Sequence, residues 1–149
     1  MYDVAVIGCG IVGAAAAYEL SRYNCRVLVL EAKNDVANVT TKANSAILHA
    51  GYDPTPGTLM AETNVRGVAL AKELCEKLDV EREEIGSLVL AFGEEDERHL
   101  EKLYQQGLAN GVPGIELLTA DEVHALEPNV SDKVTAALYA PCLLYTSPS

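Results

Sequence analysis

The feature that most limits what this chain can fold into lies in residues 1–31. Asp3-Val4-Ala5-Val6-Ile7 is a short apolar run, and it enters Gly8-Cys9-Gly10-Ile11-Val12-Gly13, a Gly-x-Gly-x-x-Gly turn. An alanine-rich helix is expected from about Gly10 to Tyr23. A second apolar run, Arg26-Val27-Leu28-Val29-Leu30, then ends in Glu31. Short apolar runs bounded by glycine read as parallel strands buried on both faces. Strand, turn, helix, strand and terminal acid together form a βαβ unit with the signature of a dinucleotide site.

Each residue type has a physical reason. Gly8 permits the tight turn, Gly10 lets backbone approach a pyrophosphate, and Gly13 lets the helix pack close to the sheet. The unpaired N–H groups and positive dipole end of the helix face the phosphates. Glu31 follows Gly13 by eighteen residues, near the spacing of about 20 expected for the acid that holds a ribose hydroxyl. A carboxylate there repels a 2′-phosphate, so the ligand is expected to be FAD or NAD rather than NADP.

Composition enters mainly through what it excludes. The net charge of −11 argues against nucleic acid as a partner, because phosphate backbones need a basic face. Apolar and charged residues make up 49% and 22% of the chain, which suits a globular protein rather than a disordered one. Cys9, Cys25, Cys75 and Cys142 show neither Cys-x-x-Cys pairing nor zinc spacing, so no metal site is expected. They read as reduced, mostly buried thiols in a cytoplasmic protein. The apolar start lacks a basic leader, and no apolar run is long enough to span a bilayer. Peripheral contact with a membrane stays open.

After Glu31 the chain is polar and irregular through Ser45, with Lys33-Asn34-Asp35 and Asn38-Val39-Thr40-Thr41-Lys42-Ala43-Asn44-Ser45. Its position after the ribose acid keeps it near the ligand. Ala46-Ile47-Leu48-His49-Ala50-Gly51-Tyr52 is a short apolar segment, and Asp53-Pro54-Thr55-Pro56-Gly57 is a turn. A long amphipathic helix is expected from Thr58 to about Leu78, with Leu70, Leu74 and Leu78 on its inner side and Ala61, Val65 and Val68 extending it. Residues 79–84 form a charged linker, and residues 85–92 a strand. A second surface helix over residues 94–110 carries an inner stripe of Leu100, Leu103, Tyr104 and Leu108. A short strand over residues 115–118 precedes Thr119-Ala120-Asp121-Glu122, a capping box that opens a short helix. Residues 135–140 form a last strand. His99 and His124 fall among charged helical residues and read as surface groups.

One βαβ unit cannot make a stable sheet, and no second βαβ repeat follows Leu30. That absence weighs against a classical NAD dehydrogenase. The expected architecture is α/β: a Rossmann-like FAD-binding βαβ unit over residues 1–57, then the start of an α+β substrate domain over residues 58–141. The chain is expected to be truncated, with the remaining sheet strands encoded beyond residue 149. Cys142-Leu143-Leu144-Tyr145-Thr146-Ser147-Pro148-Ser149 breaks the preceding pattern and reads as translated sequencing-adapter sequence. Residues 142–149 are therefore expected to be a non-native tail.

The residues resemble the FAD-dependent oxidoreductase family that includes D-amino-acid oxidase. The carrying segments are Asp3 through Gly13, Asn44-Ser45-Ala46-Ile47-Leu48-His49-Ala50-Gly51-Tyr52, Pro56-Gly57-Thr58-Leu59-Met60-Ala61, Ile85-Gly86-Ser87-Leu88, Asn110-Gly111-Val112-Pro113-Gly114 and Glu127-Pro128-Asn129. Within the family the closest likeness is to L-2-hydroxyglutarate oxidase/dehydrogenase and to the FAD subunit of anaerobic glycerol-3-phosphate dehydrogenase. Cys9 departs from the Gly or Ala usual there, though it is small enough to be tolerated.

The resemblance implies FAD as cofactor. Gly8, Gly10, Ile11, Val12 and Gly13 would hold its pyrophosphate and Glu31 its adenosine ribose. Thr40, Thr41, Lys42, Asn44 and Ser45 would line the phosphates and ribityl chain. His49-Ala50-Gly51 would run beside the flavin ring, which makes His49 the candidate catalytic residue. The implied reaction oxidises the CH–OH group of a small anion, L-2-hydroxyglutarate or glycerol 3-phosphate, by hydride transfer to flavin while a base takes the hydroxyl proton. The electron acceptor stays open. An FAD-dependent amine or amino-acid oxidase is the alternative enzyme, and a non-catalytic nucleotide-binding fragment is the alternative outside catalysis.

Overall fold

The computed structural model describes residues 1–142 and the backbone of Leu144–Tyr145. The chain divides into two compact units, Met1–Ser45 and Ala46–Ser149.

The first unit is the βαβ element. Strand β1 (Val4–Ile7) pairs in parallel with β2 (Val27–Leu30), and helix α1 (Ile11–Leu20) connects them. The helix ends several residues before the expected Tyr23, where Arg22 and Tyr23 turn back with N–H bonds to Glu19 and Leu20 carbonyls. Gly13, Ala17 and Leu20 form the partly buried side of α1, spaced as one helical face. Val4 and Val6 are partly buried, whereas Ala5 is exposed and Ile7 is 87% exposed. The expectation that both strands are buried on both faces is not met within this unit. A crossover helix covers one face of a sheet, and α1 is the single helix here.

The second unit is α+β. Its main sheet is antiparallel in the order β5 (Ser87–Ala91), β7 (Ala136–Ala140), β6 (Glu116–Thr119). Helix α3 (Glu94–Asn110) covers one face and α4 (Ala120–Leu126) the other. Alternation along the central strand sets the two cores. Leu138 and Ala140 pack with Ala91, Leu100, Val112 and Ile115, while Ala137 packs with Val123 and Val134. Because both faces are covered, β7 reads as a continuous apolar run, Ala-Ala-Leu-Tyr-Ala, despite belonging to an antiparallel sheet. A smaller sheet joins β3 (Ile47–Leu48) and β4 (Glu83–Glu84) to β8 (Leu144–Tyr145). The remaining tail positions, residues 143 and 146–149, lie outside the described residues.

Helix α2 (Leu59–Leu78) opens on Thr58, whose hydroxyl accepts the Ala61 N–H at 3.3 Å, and closes on Asp79 in the left-handed region at φ 54°. Its inner side is the expected Ala61, Val65 and Val68 without the whole of the leucine stripe. Ala61 and Val68 are buried and Val65 packs on the larger core, whereas Leu70 and Leu78 are 46% and 63% exposed. Helix α3 keeps most of its expected stripe, with Leu103 and Tyr104 packed beside Leu100 on the larger core. Leu100 and Gly107 are its buried positions, and Leu108 is 49% exposed. Gly107 faces Ile115, whose side chain occupies the space a Cβ would need. Close approach of backbone to a bulky neighbour thus replaces the knob that Leu108 was expected to supply. The capping box at α4 forms as expected: Thr119 Oγ1 accepts the Glu122 N–H, and the Glu122 carboxylate accepts the Thr119 N–H at 2.8 Å. All four cysteines are free thiols, but Cys142 alone is buried, the other three being half-buried. Burial pushes the Cys142 thiol up.

Candidate functional site

The glycine turn uses its glycines for conformation at Gly8 and for close contact at Gly10 and Gly13. Gly8 adopts φ +93° and donates its N–H to the Leu30 carbonyl at 2.7 Å, tying the end of β1 to β2. A Cβ on Gly13 would overlap the Gly8 carbonyl oxygen. A Cβ on Gly10 would stand 3.0 Å from Thr41 Oγ1. Gly10 is the N-cap of α1 and offers no side chain to its first turn, so the leading N–H groups must find acceptors elsewhere.

One such acceptor, and one that serves the turn before the helix, are residues singled out in the sequence. The Cys9 N–H donates to the Glu31 carboxylate at 2.7 Å, and the Ile11 N–H donates to Thr41 Oγ1 at 3.0 Å. Glu31 also accepts the Lys33 N–H at 2.9 Å. These bonds, from Cys9 first and Lys33 second, favour the ionised carboxylate and hold its pKa below the usual value. The turn therefore carries an anion at the position where ribose binding was expected. It also carries a hydroxyl on the helix terminus where phosphate binding was expected.

Gly10, Glu31, Thr40 and Thr41 line one cleft of about 180 Å³, joined by Ala37, Asn38 and Val39. Gly8, Gly13 and Ile11 build its adjoining turn, while Val12 is 81% exposed and outside the lining. Lys42, Asn44 and Ser45 are exposed and also outside it. Asn44 Nδ2 donates to the Thr41 carbonyl, which steadies the loop. Residues 37–39 were not anticipated as site residues. Ala37 reaches the site because its N–H donates to the Cys9 carbonyl at 2.9 Å, with φ +57°. An alanine in the left-handed region leaves no signal of the kind glycine or asparagine leaves.

His49 belongs to the second unit. Its side chain is exposed and lines a shallow cleft of about 250 Å³ with Ile47, Leu48, Thr63, Asn64, Gly67 and Val68. Among the described residues no group of His, Cys, Asp and Glu is placed to hold a metal ion. Nor is any helix among them long and apolar enough to cross a membrane.

Residues 3–144 match the family model described as FAD dependent oxidoreductase. The chain is 51% identical over 140 residues to a glycerol 3-phosphate dehydrogenase of Caloramator mitchellensis, covering 94% of this chain and 29% of that one. It is 35% identical over 139 residues to the mitochondrial L-2-hydroxyglutarate dehydrogenase of Dictyostelium discoideum, covering 91% and 31%. Among solved structures, the FAD-bound, dithionite-reduced L-alpha-glycerophosphate oxidase of Mycoplasma pneumoniae superposes with a TM-score of 0.88 at 35% identity, over 99% of this chain and 39% of that one. The chain thus spans about three-tenths of the length of these curated relatives.

Proposed function

This chain belongs to the FAD-dependent oxidoreductase family, and we propose that the protein carrying it oxidises the CH–OH group of a small anion, glycerol 3-phosphate or L-2-hydroxyglutarate. The reading rests on the 51% identity with a glycerol 3-phosphate dehydrogenase. Its cofactor half is supported by the cradle described above. Close backbone approach at Gly10, a helix start with no N-cap side chain and a fixed carboxylate at Glu31 suit a dinucleotide of the FAD type.

In this proposal the turn of Gly8, Gly10, Ile11, Val12 and Gly13 holds the pyrophosphate, with the Gly8 N–H kept by the Leu30 carbonyl and the Ile11 N–H by Thr41 Oγ1. Glu31 accepts from the adenosine ribose, its carboxylate already aimed by the Cys9 and Lys33 amides. Thr40, Thr41, Lys42, Asn44 and Ser45 serve the phosphates and ribityl chain. Bound FAD supplies the acceptor for the hydride that leaves the hydroxyl-bearing carbon. His49 is the group proposed to take the hydroxyl proton. Residues 1–57 then act as cofactor-binding chain and residues 58–141 as part of a substrate domain, in a cytoplasmic setting or peripherally at a membrane.

The test is anaerobic addition of each anion to the full-length yellow protein. Loss of flavin colour with glycerol 3-phosphate or L-2-hydroxyglutarate is the expected result. Retention of colour with both, and loss with an amino acid, would replace this reading with an amine or amino-acid oxidase.

A further inference from the structure

The turn that follows His49 is held by side chains the function above does not use. Asn110 Nδ2 donates to the Gly51 carbonyl at 2.9 Å and to the Pro54 carbonyl at 2.8 Å. Gln106 Nε2 donates to the Tyr52 and Asp53 carbonyls at 3.4 and 3.2 Å. Two carboxamides one helical turn apart on α3 therefore serve four successive carbonyls. Gly51 and Pro54 are buried, where an unpaired carbonyl is costly. The arrangement also orients Asn110 without ambiguity, because a flipped amide would set its oxygen against two carbonyl oxygens. Among the described residues Asn110 Oδ1 has no donor. The side chain leaves one polar atom unsatisfied while committing both of its N–H donors to the turn.

The grip is two-sided. Gly51 stands at φ +101°, and a Cβ on it would come within 2.8 Å of Val65 and 3.2 Å of Asn64 on α2. On the other side Gly107 lets α3 come close, so that a Cβ there would lie 3.1 Å from that of Tyr52. Ala50, between His49 and the turn, is 1% exposed. The exposed His49 side chain is therefore aimed by backbone anchored at Ala50 and Gly51 rather than by burial of its own ring.

We propose that Asn110, seconded by Gln106, is the positioning residue for His49. The proposal rests on the reading above only for the chemistry of His49. A group that takes a proton must be held in register, and a displacement of about 1 Å can cost on the order of 100-fold in rate. Two donors on a rigid helix are a suitable support.

The test uses the full-length flavoprotein with Asn110→Asp, which keeps shape but removes the donors, and Gln106→Ala, a milder loss. Amide hydrogen exchange across residues 49–55 is expected to quicken by about 10-fold or more in Asn110→Asp and less in Gln106→Ala, with residues 4–30 unchanged. Flavin content is expected to hold while anaerobic reduction slows by about 10-fold. In a double-mutant cycle, His49→Gln with Asn110→Asp is expected to be no slower than His49→Gln alone. Unchanged exchange in the turn, or losses that multiply in the double variant, would overturn the proposal. If neither anion reduces the wild-type protein, the substrate reading fails, and the exchange arm still decides whether Asn110 holds this segment.

Discussion

The Glu31 carboxylate accepts the backbone N–H of Cys9 at 2.7 Å, across the open end of the glycine turn. One side chain thus joins the end of β2 to the turn after β1, and does so as an anion. Replacing Glu31 by Gln keeps the size but weakens the acceptor, so FAD affinity is expected to fall by about 10-fold or more. Titration of apoprotein with FAD, followed by flavin fluorescence, measures this.

The same bond makes a pH prediction. The Cys9 and Lys33 amides hold the folded-state pKa of Glu31 below its ordinary value of 4.5. A depressed carboxylate pKa contributes stability that is present above the unfolded-state pKa and is lost as pH falls through the folded value. The difference in melting temperature between wild type and Glu31→Gln is expected to be constant near neutrality and to shrink below about pH 4.5. A difference that stays constant into acid would show that the Glu31 charge does not support the turn.

Gly13 and Gly10 should not tolerate alanine equally. A Cβ at Gly13 overlaps the Gly8 carbonyl oxygen, which is backbone and cannot step aside. A Cβ at Gly10 meets the Thr41 hydroxyl at 3.0 Å, a side chain that can rotate. Gly13→Ala is expected to yield colourless protein, and Gly10→Ala a protein that retains FAD with reduced affinity. Flavin content after gel filtration separates the two.

The leucines of the second unit divide sharply by location. Leu138 is fully buried in the central strand, and Leu138→Ala is expected to cost about 2–5 kcal/mol. Leu70, conspicuous in the helical pattern, is 46% exposed, and Leu70→Ala is expected to cost within about 0.5 kcal/mol. Urea unfolding of the two variants checks the assignment of the α2 faces.

Thr119 caps α4 reciprocally with Glu122. Thr119→Ala should destabilise the unit by about 1 kcal/mol. The Glu122 pKa is held down first by the Thr119 backbone N–H, which alanine keeps, and second by the Thr119 hydroxyl, which the variant loses. The variant's deficit is therefore expected to narrow in acid, below the usual carboxylate range. Equilibrium unfolding at two pH values checks both effects.

What the sequence determined alone was local. Gly8, Gly10 and Gly13 specify their turn because the spacing of missing side chains is itself the constraint. Thr119 and Glu122 specify a helix start within four residues. Glu31 was legible because it ends the strand next to that turn. Tertiary structure decided matters that depend on distant partners. Periodicity placed α2 and α3 and most of their inner faces, Ala61, Val65, Val68, Leu100, Leu103 and Tyr104, but not the exposure of Leu70, Leu78 and Leu108 or the burial of Gly107, which the surfaces they meet decide. Ala37 joins the candidate site through a bond to Cys9, and Asn110 reaches Gly51 and Pro54 across more than fifty residues of chain. Such contacts leave no periodic or motif trace. A carboxamide or an alanine is an ordinary residue until the fold brings an unpaired carbonyl within its reach.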